Sequence, residues 1–244
     1  MRRLLLHIAC IVLFTEASAQ KPLGPLAQTI PTGAGLIDIN DREWKYSVSE
    51  TGADWESHDN VTGTLFFAED FNTGYILLDG NRLAKDVSIR FNVYTGQVYF
   101  KKDSQVMVLD AAVPIAEFGY WNNSLGQAIV FRCGYPDIAG NTAKTFYEVL
   151  QYGKLSLLEK HTKRIVEKRD IHGVPEKIIT DAEAWFVYDA ATNKIVEIKH
   201  NKNSLLEALP AYSNTIQSII QEKNLKLKSE ADWVTLFKQL NGKS

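Results

Sequence analysis

The sequence predicts a mainly β protein, with antiparallel sheets built from hairpins and a short α-helical region at the C-terminus. Three observations carry that expectation. Between residues 44 and 200, apolar side chains alternate with polar ones, the period of antiparallel strands with one buried face. Turn chemistry interrupts the alternation at Asp79-Gly80, Thr95-Gly96, Gly153-Lys154 and Thr192-Asn193. Beyond His200 the apolar spacing becomes helical. The class is therefore a β-rich α+β fold, a β body closed by helices.

Residues 1–19 read as a secretory signal peptide: Arg2-Arg3, an apolar run over 4–14, and the small-residue cleavage site Ala17-Ser18-Ala19. The run is too short to span a bilayer, which takes about 20 residues. His7 breaks the stretch before Cys10 and argues against a lipid-anchored cysteine. Cleavage would leave Gln20 first and Cys133 as the remaining cysteine, so no intrachain disulfide is available and stability rests on the core. Cys133 lacks a nucleophile motif around it and reads as a small buried hydrophobe. Residues 20–40, with Pro22, Pro25, Pro31, Gly24, Gly33 and Gly35, read as a flexible arm on which Leu36 and Ile37 hint at packing. Thr32-Gly33-Ala34-Gly35 has no following lysine and no preceding strand, so it is not a phosphate loop.

Residues 41–200 form the expected antiparallel β domain. Val87, Ile89, Phe91 and Val93 alternate with Ser88, Arg90, Asn92 and Tyr94, and beyond Thr95-Gly96 the apolar face continues through Val98 and Phe100, a hairpin. Further strands are expected at 74–78, 105–110, 145–152, 154–169, 181–189 and 194–200. Residues 92–101 and 186–196 resemble one another, each an aromatic strand end, a polar turn and a β-branched return. In the helical segment 201–244, expected to pack on the β domain, Ser204 with Glu207 suggests a capping box and Pro210 a stop. Ser213 and Ser229 suggest caps for two more helices, bearing Ile216, Ile219 and Ile220, then Trp233, Leu236, Phe237 and Leu240.

The composition narrows function. A net charge of −2, with acids and bases interleaved, gives no footprint for nucleic acid. The local basic run Lys160, Lys163, Arg164, Lys168 and Arg169 reads as the solvated face of a strand. Among His58, His161, His172 and His200 no metal-ligand spacing is visible, and neither a nucleophile elbow nor a serine-x-x-lysine pattern occurs, so no cofactor, metal or catalytic residue is expected. Acids near turns, Glu69-Asp70, Asp79 and Glu117, leave open a hydrolase whose carboxylates meet only in the fold. The aromatics are the more promising constellation: Phe118, Tyr120 and Trp121 as an exposed cluster, together with Trp185, are the candidate ligand-binding residues, since aromatic faces bury area while polar edges orient it. Asn60-Val61-Thr62 and Asn122-Asn123-Ser124 match glycosylation sites, meaningful only in a eukaryotic secretory pathway. Charges on both faces of 159–164 and a helical end oppose an outer-membrane barrel.

Ser18-Ala19-Gln20, the segment Gly74-Tyr75-Ile76-Leu77-Leu78-Asp79-Gly80, the segment Ile89-Arg90-Phe91-Asn92-Val93-Tyr94-Thr95-Gly96 and Lys202-Asn203-Ser204-Leu205-Leu206 resemble the secreted proteins of unknown function common in Bacteroidota. The resemblance implies a bacterial envelope and brings no catalytic residues. The expected protein is thus an exported, soluble envelope component, periplasmic or extracellular, with no transmembrane segment after cleavage and a non-catalytic binding or structural role. Its expected partner is an envelope protein or a small apolar or sugar ligand. Two rivals are a carrier holding an apolar ligand in a curved-sheet cavity under a helical lid, and the hydrolase above.

Overall fold

The computed structural model describes residues 34–37, 46–48, 61–78, 82–102, 105–109, 113–122, 126–169 and 172–242. The signal peptide, most of the arm, His58 and the Asp79-Gly80 turn lie outside them. The strands are β1 (Gly35–Leu36), β2 (Tyr46–Val48), β3 (Val61–Thr62), β4 (Asn72–Leu78), β5 (Arg82–Asn92), β6 (Gln97–Lys102) and β7 (Gln105–Leu109). They continue as β8 (Ile115–Asn122), β9 (Gln127–Arg132), β10 (Tyr147–Gln151), β11 (Leu155–Arg169), β12 (Pro175–Asp189) and β13 (Lys194–Ile198). Three helices follow, α1 (Lys202–Ala208), α2 (Ser213–Glu222) and α3 (Glu230–Gly242). The fold is mainly β, with the helices at the C-terminal end, as the sequence predicts. No described helix is long and apolar enough to cross a membrane.

Among the described residues all strands join one sheet, in the order β13-β12-β11-β10-β9-β8-β4-β5-β6-β7-β2, with β1 beside β5 and β3 beside β12. Two meanders leave a common seam: β4 to β7 run one way, and the chain then returns to pair β8 with the other edge of β4 and runs out through β13. Among the described residues the pairs are antiparallel except β1 with β5 and β3 with β12. At the seam Gly74 admits β8 closely, since a Cβ there would meet the Gly119 carbonyl oxygen at 2.0 Å. Asp86, at φ 57°, is the extra residue of a bulge opposite Gly74 and Tyr75, and it brings Ala84 and Val87 to the same face.

That face is concave. β5 and β9 are three strand spacings apart, about 14 Å in a flat sheet, yet the rings of Phe91 and Phe131 meet at 4.9 Å. Phe146, just before β10, reaches Phe91 at 5.8 Å. The curl buries Ile76, Ile89, Phe100, Phe118 and Ile129 in a first core. A second core lies on the same face further along, where Leu155, Leu157, Trp185, Val187 and Ile198 receive Leu205, Ile216, Ile219, Trp233, Leu236, Phe237 and Leu240 of the helices. On the convex face Arg132 Nε and Nη2 donate to Glu117 Oε2 at 2.7 and 2.6 Å, and the Tyr75 hydroxyl donates to Oε1. Glu117 is therefore a buried ion-pair partner in mid-strand, not a solvated acid near a turn.

Several local expectations change. Strands β8 and β9 escape the alternation because Ile115–Asn122 and its neighbour bury residues on both faces, as central strands do. The first six residues of β12, Pro175-Glu176-Lys177-Ile178-Ile179-Thr180, do not alternate and are exposed or half-buried, and β11 pairs them regardless. Asn201, not Ser204, caps α1, accepting the Ser204 N–H at 2.9 Å, while Ser204 Oγ accepts the N–H of Lys199. Ser213 is the first residue of α2, entered through a 3-10 turn at Pro210–Tyr212, and not its cap. Ser229 does cap α3, accepting from Asp232 N–H at 3.3 Å. Of the basic run, Lys160 is half-buried and donates to Asn141, and Lys163 pairs with Asp181 at 2.7 Å; Arg164, Lys168 and Arg169 are exposed.

The far end of α3 is clamped to the sheet. Asn241 accepts the N–H of Leu155 and donates to its carbonyl, both at 2.9 Å, supplying the partners that β10 does not reach. A Cβ on Gly153 would lie 2.2 Å from Asn241 Nδ2. Asn241→Ala, which leaves two buried backbone groups unpaired, is expected to cost about 2 kcal/mol. Gly153→Ala displaces the same amide, so the double variant should be scarcely less stable than the worse single one; a urea-denaturation cycle measures the coupling, and additive losses would refute a shared clamp.

Candidate functional site

Of the four aromatic residues marked out by sequence, the structure brings Trp185 alone to a cavity. Phe118 and Tyr120 are 0 % and 1 % exposed and belong to the first core, where Phe118 stacks on Phe131 at 5.1 Å. They form no exposed cluster, because β8 is covered on both faces. Burial, then the Glu148 charge, also raises the Tyr120 hydroxyl above its ordinary range. Trp121 is half-buried, and the strand alternation turns it to the opposite face.

The cavity, of about 640 Å³, lies on the concave face between the two cores and under the start of α3. Strand alternation builds its floor. β10 carries Phe146 into the first core, Glu148 into the cavity and Leu150 toward the second core. β11 presents Leu155 and Leu157 to the helices, then Glu159, His161 and Lys163 to the cavity. β12 presents Asp181 and Glu183 to the cavity, then Trp185 at its wall and Val187 to the helices. The pairs Glu148↔Glu159, Glu159↔Trp185 and His161↔Glu183 place these side chains next to one another. Phe67 edges the His161 ring at 4.8 Å, and Trp233, Lys228 and Glu230 close the other side.

At the centre, His161 Nε2 lies 2.6 Å from Glu148 Oε2 and 3.9 Å from Glu159 Oε2. Glu159 Oε1 accepts the indole N–H of Trp185 at 3.0 Å. His161 Nδ1 faces Glu183 Oε1 at 4.0 Å. Glu148 and Glu159 are buried, whereas Asp181, Glu183 and Glu230 stand exposed around the mouth. Burial pushes the Glu159 carboxyl up to about 7, against the pull of His161 and the Trp185 hydrogen bond. Burial alone would lower His161, but its hydrogen bond to Glu148 and the charges of Glu148, Glu159 and Glu183 outweigh that and raise it. Glu230 is raised by partial burial and by the charges of Glu148 and Glu183.

One donor atom from each of Glu148, Glu159 and His161 lies within 4.8 Å of the others, a set able to share a proton or hold a metal ion. The sequence contained half of this signal: Glu159 and His161, two apart in a strand, share a face. Glu148 comes from the neighbouring strand, and its pairing with Glu159 depends on a register no local pattern states. His200 sets its ring edge-on against Trp185, centroids 3.9 Å apart, at the cavity wall, and His172 is exposed in a turn. Glu69 and Asp70 are exposed away from the cavity. Comparison with protein-family models, curated proteins and solved structures finds no match to this chain.

His161→Leu withdraws the positive partner from two buried carboxylates and is expected to destabilise the fold by about 3 kcal/mol. Adding Glu148→Leu, which removes one of those charges, should restore part of the loss. Urea denaturation measures both; a His161→Leu variant as stable as the parent would show that the imidazole does not offset the acids.

Proposed function

We propose that this chain is an exported cell-envelope protein that binds a cation in the cavity under α3, in a non-catalytic role. The observation that carries the reading is the charge arrangement. Five carboxylates, from Glu148, Glu159, Asp181, Glu183 and Glu230, line one cavity with His161 and two lysines, and one of those lysines, Lys163, is already paired with Asp181 while His161 is paired with Glu148. The exposed acids at the mouth are screened by salt, but they face the same opening and raise the local concentration of cations. The two buried acids at the floor feel little screening and supply the affinity. An apolar carrier would share the helical roof but would need an apolar floor, and here the rings of Phe67, Trp185 and Trp233 form walls around a charged one.

Export rests on Arg2-Arg3, the apolar run and Ala17-Ser18-Ala19. Cell fractionation should recover the chain from the envelope or medium with Gln20 as its first residue; an intact N-terminus in the cytoplasm would overturn that half of the reading. For the cavity, thermal unfolding of chelator-treated protein is followed with divalent metal salts, organic diamines such as putrescine, and fatty acids. A cation that binds the native state raises Tm by mass action, about 2.7 kcal/mol of stabilisation at 100 times its Kd. At least one cation is expected to raise Tm, and fatty acids are not. A rise with fatty acid and none with any cation would replace this reading by the apolar carrier.

A further inference from the structure

The floor of the cavity is more specific than a site for positive charge in general. Its donors come from β10 and β11, braced by Trp185 on β12, so backbone ladders hold their spacing. Nε2 of His161 faces carboxylate oxygens of Glu148 and Glu159 at 2.6 and 3.9 Å. A ring nitrogen lone pair does not face carboxylate lone pairs unless a cation lies between them, either a proton or a metal. Ligands 2.0–2.2 Å from a tetrahedral ion stand roughly 3.3–3.6 Å apart; the 3.9 Å separation is close to that value, and the 2.6 Å one is a hydrogen bond that would open by about 1 Å as a metal replaces its proton. An organic ammonium would place its acceptors farther apart, since each sits about 2.8 Å from the nitrogen.

A second observation is independent of the three donors: their outer partners orient them. The Trp185 indole holds Oε1 of Glu159 at 3.0 Å, and Oε2 is the oxygen near His161 Nε2. Glu183 stands 4.0 Å from the far ring nitrogen, Nδ1, outside hydrogen-bond reach but on the side from which a carboxylate can accept the Nδ1 proton once Nε2 is given to a metal. One imidazole with two carboxylates suits a first-row divalent ion better than calcium or magnesium, which prefer oxygen alone.

We propose that Glu148, Glu159 and His161 hold a first-row divalent metal ion of the zinc and cobalt class, with its open coordination positions facing the cavity. The proposal rests on the cation-binding reading and narrows it. Glu183 and Trp185 are positioning residues. Three protein ligands leave room for water, or for an oxygen or nitrogen donor of a small molecule that fits the remaining volume.

Chelator-treated protein is titrated calorimetrically with Zn²⁺ and, in parallel, with Co²⁺ while the visible spectrum is recorded. One equivalent is expected to bind, with a Co²⁺ spectrum of low-symmetry nitrogen and oxygen coordination. His161→Gln and Glu148→Gln should each weaken binding by at least about 100-fold, and Trp185→Phe by about 10-fold. Glu207→Gln, on the exposed side of α1, should change nothing. Circular dichroism of the metal-free variants checks folding, and if the first two fail to fold, the Co²⁺ spectrum of the parent and the Trp185→Phe shift still decide. No binding of either ion to the parent, or binding undiminished in His161→Gln and Glu148→Gln, overturns the metal site. If the metals fail while putrescine still raises Tm, this inference falls and the cation reading stands; if both fail, both fall.

Discussion

All 15 residues of β11 pair with the 15 of β12, from Leu155↔Asp189 to Arg169↔Pro175, and the rest of the molecule depends on that register. A slip of one residue would turn Leu155, Leu157, Glu159 and His161 to the convex face together. The helices would lose the apolar strip on which they sit, and the cavity would lose its floor. One ladder thus sets both the second core and the polar cluster, which ties the site to the stability of the fold. The apolar half of each strand supports the polar half: Leu155 and Leu157 on β11, and Trp185 and Val187 on β12, pin the register against the helices. Glu159 and His161 follow at the positions where helix cover runs out.

Two cores on one concave face leave a gap between them. β10 shows it in three alternate residues, with Phe146 in the first core, Leu150 against the second and Glu148 between. A buried carboxylate in such a gap is costly unless it is partnered. The structure offsets the cost with His161 for Glu148 and the Trp185 indole for Glu159. An apolar residue at 148 would fill the gap and join the two cores. The acid there, paired with His161, keeps the gap polar and open between the two cores.

The fold was legible wherever one strand face met solvent. Val87 to Val93, and the hairpins around Thr95-Gly96 and Thr192-Asn193, show the alternation and turn residues that mark such strands. β8 was not legible as a strand because the sheet covers it on both sides, and Phe118 and Tyr120, apparently an exposed aromatic cluster, are core for the same reason. The start of β12 was hidden because Pro175 opens it and Ile178-Ile179 stand side by side without alternation; pairing with β11, not burial, makes it a strand. The site was half legible. Glu159-x-His161 is a one-face pair, but its partner Glu148 is 13 residues from His161 in sequence and arrives through a tight reversal at Gly153. Trp185 was singled out for its ring, whereas its contribution to the site is its N–H.

The roof is held as firmly as the floor. At one end of α3, Asn241 grips Leu155. At the other, the connection from α2 turns through Leu227 at φ 52°, an unfavourable conformation for a side chain of that size. Neighbouring groups stabilise it: Asp232 Oδ2 accepts the N–H groups of Lys226 and Lys228 at 3.1 and 3.4 Å, and the Trp233 indole donates to the Leu227 carbonyl at 3.2 Å. The same indole ring packs on Trp185 at 5.5 Å, and Trp185 in turn holds Glu159. The mouth loop, roof helix and floor carboxylate are therefore joined by one chain of contacts. A site built this way would lose little conformational entropy on binding the proposed ion, so few contacts would suffice to hold it. Three donors on two adjacent strands, with a rigid aromatic brace on the next, meet that condition without any part of the fold having to close.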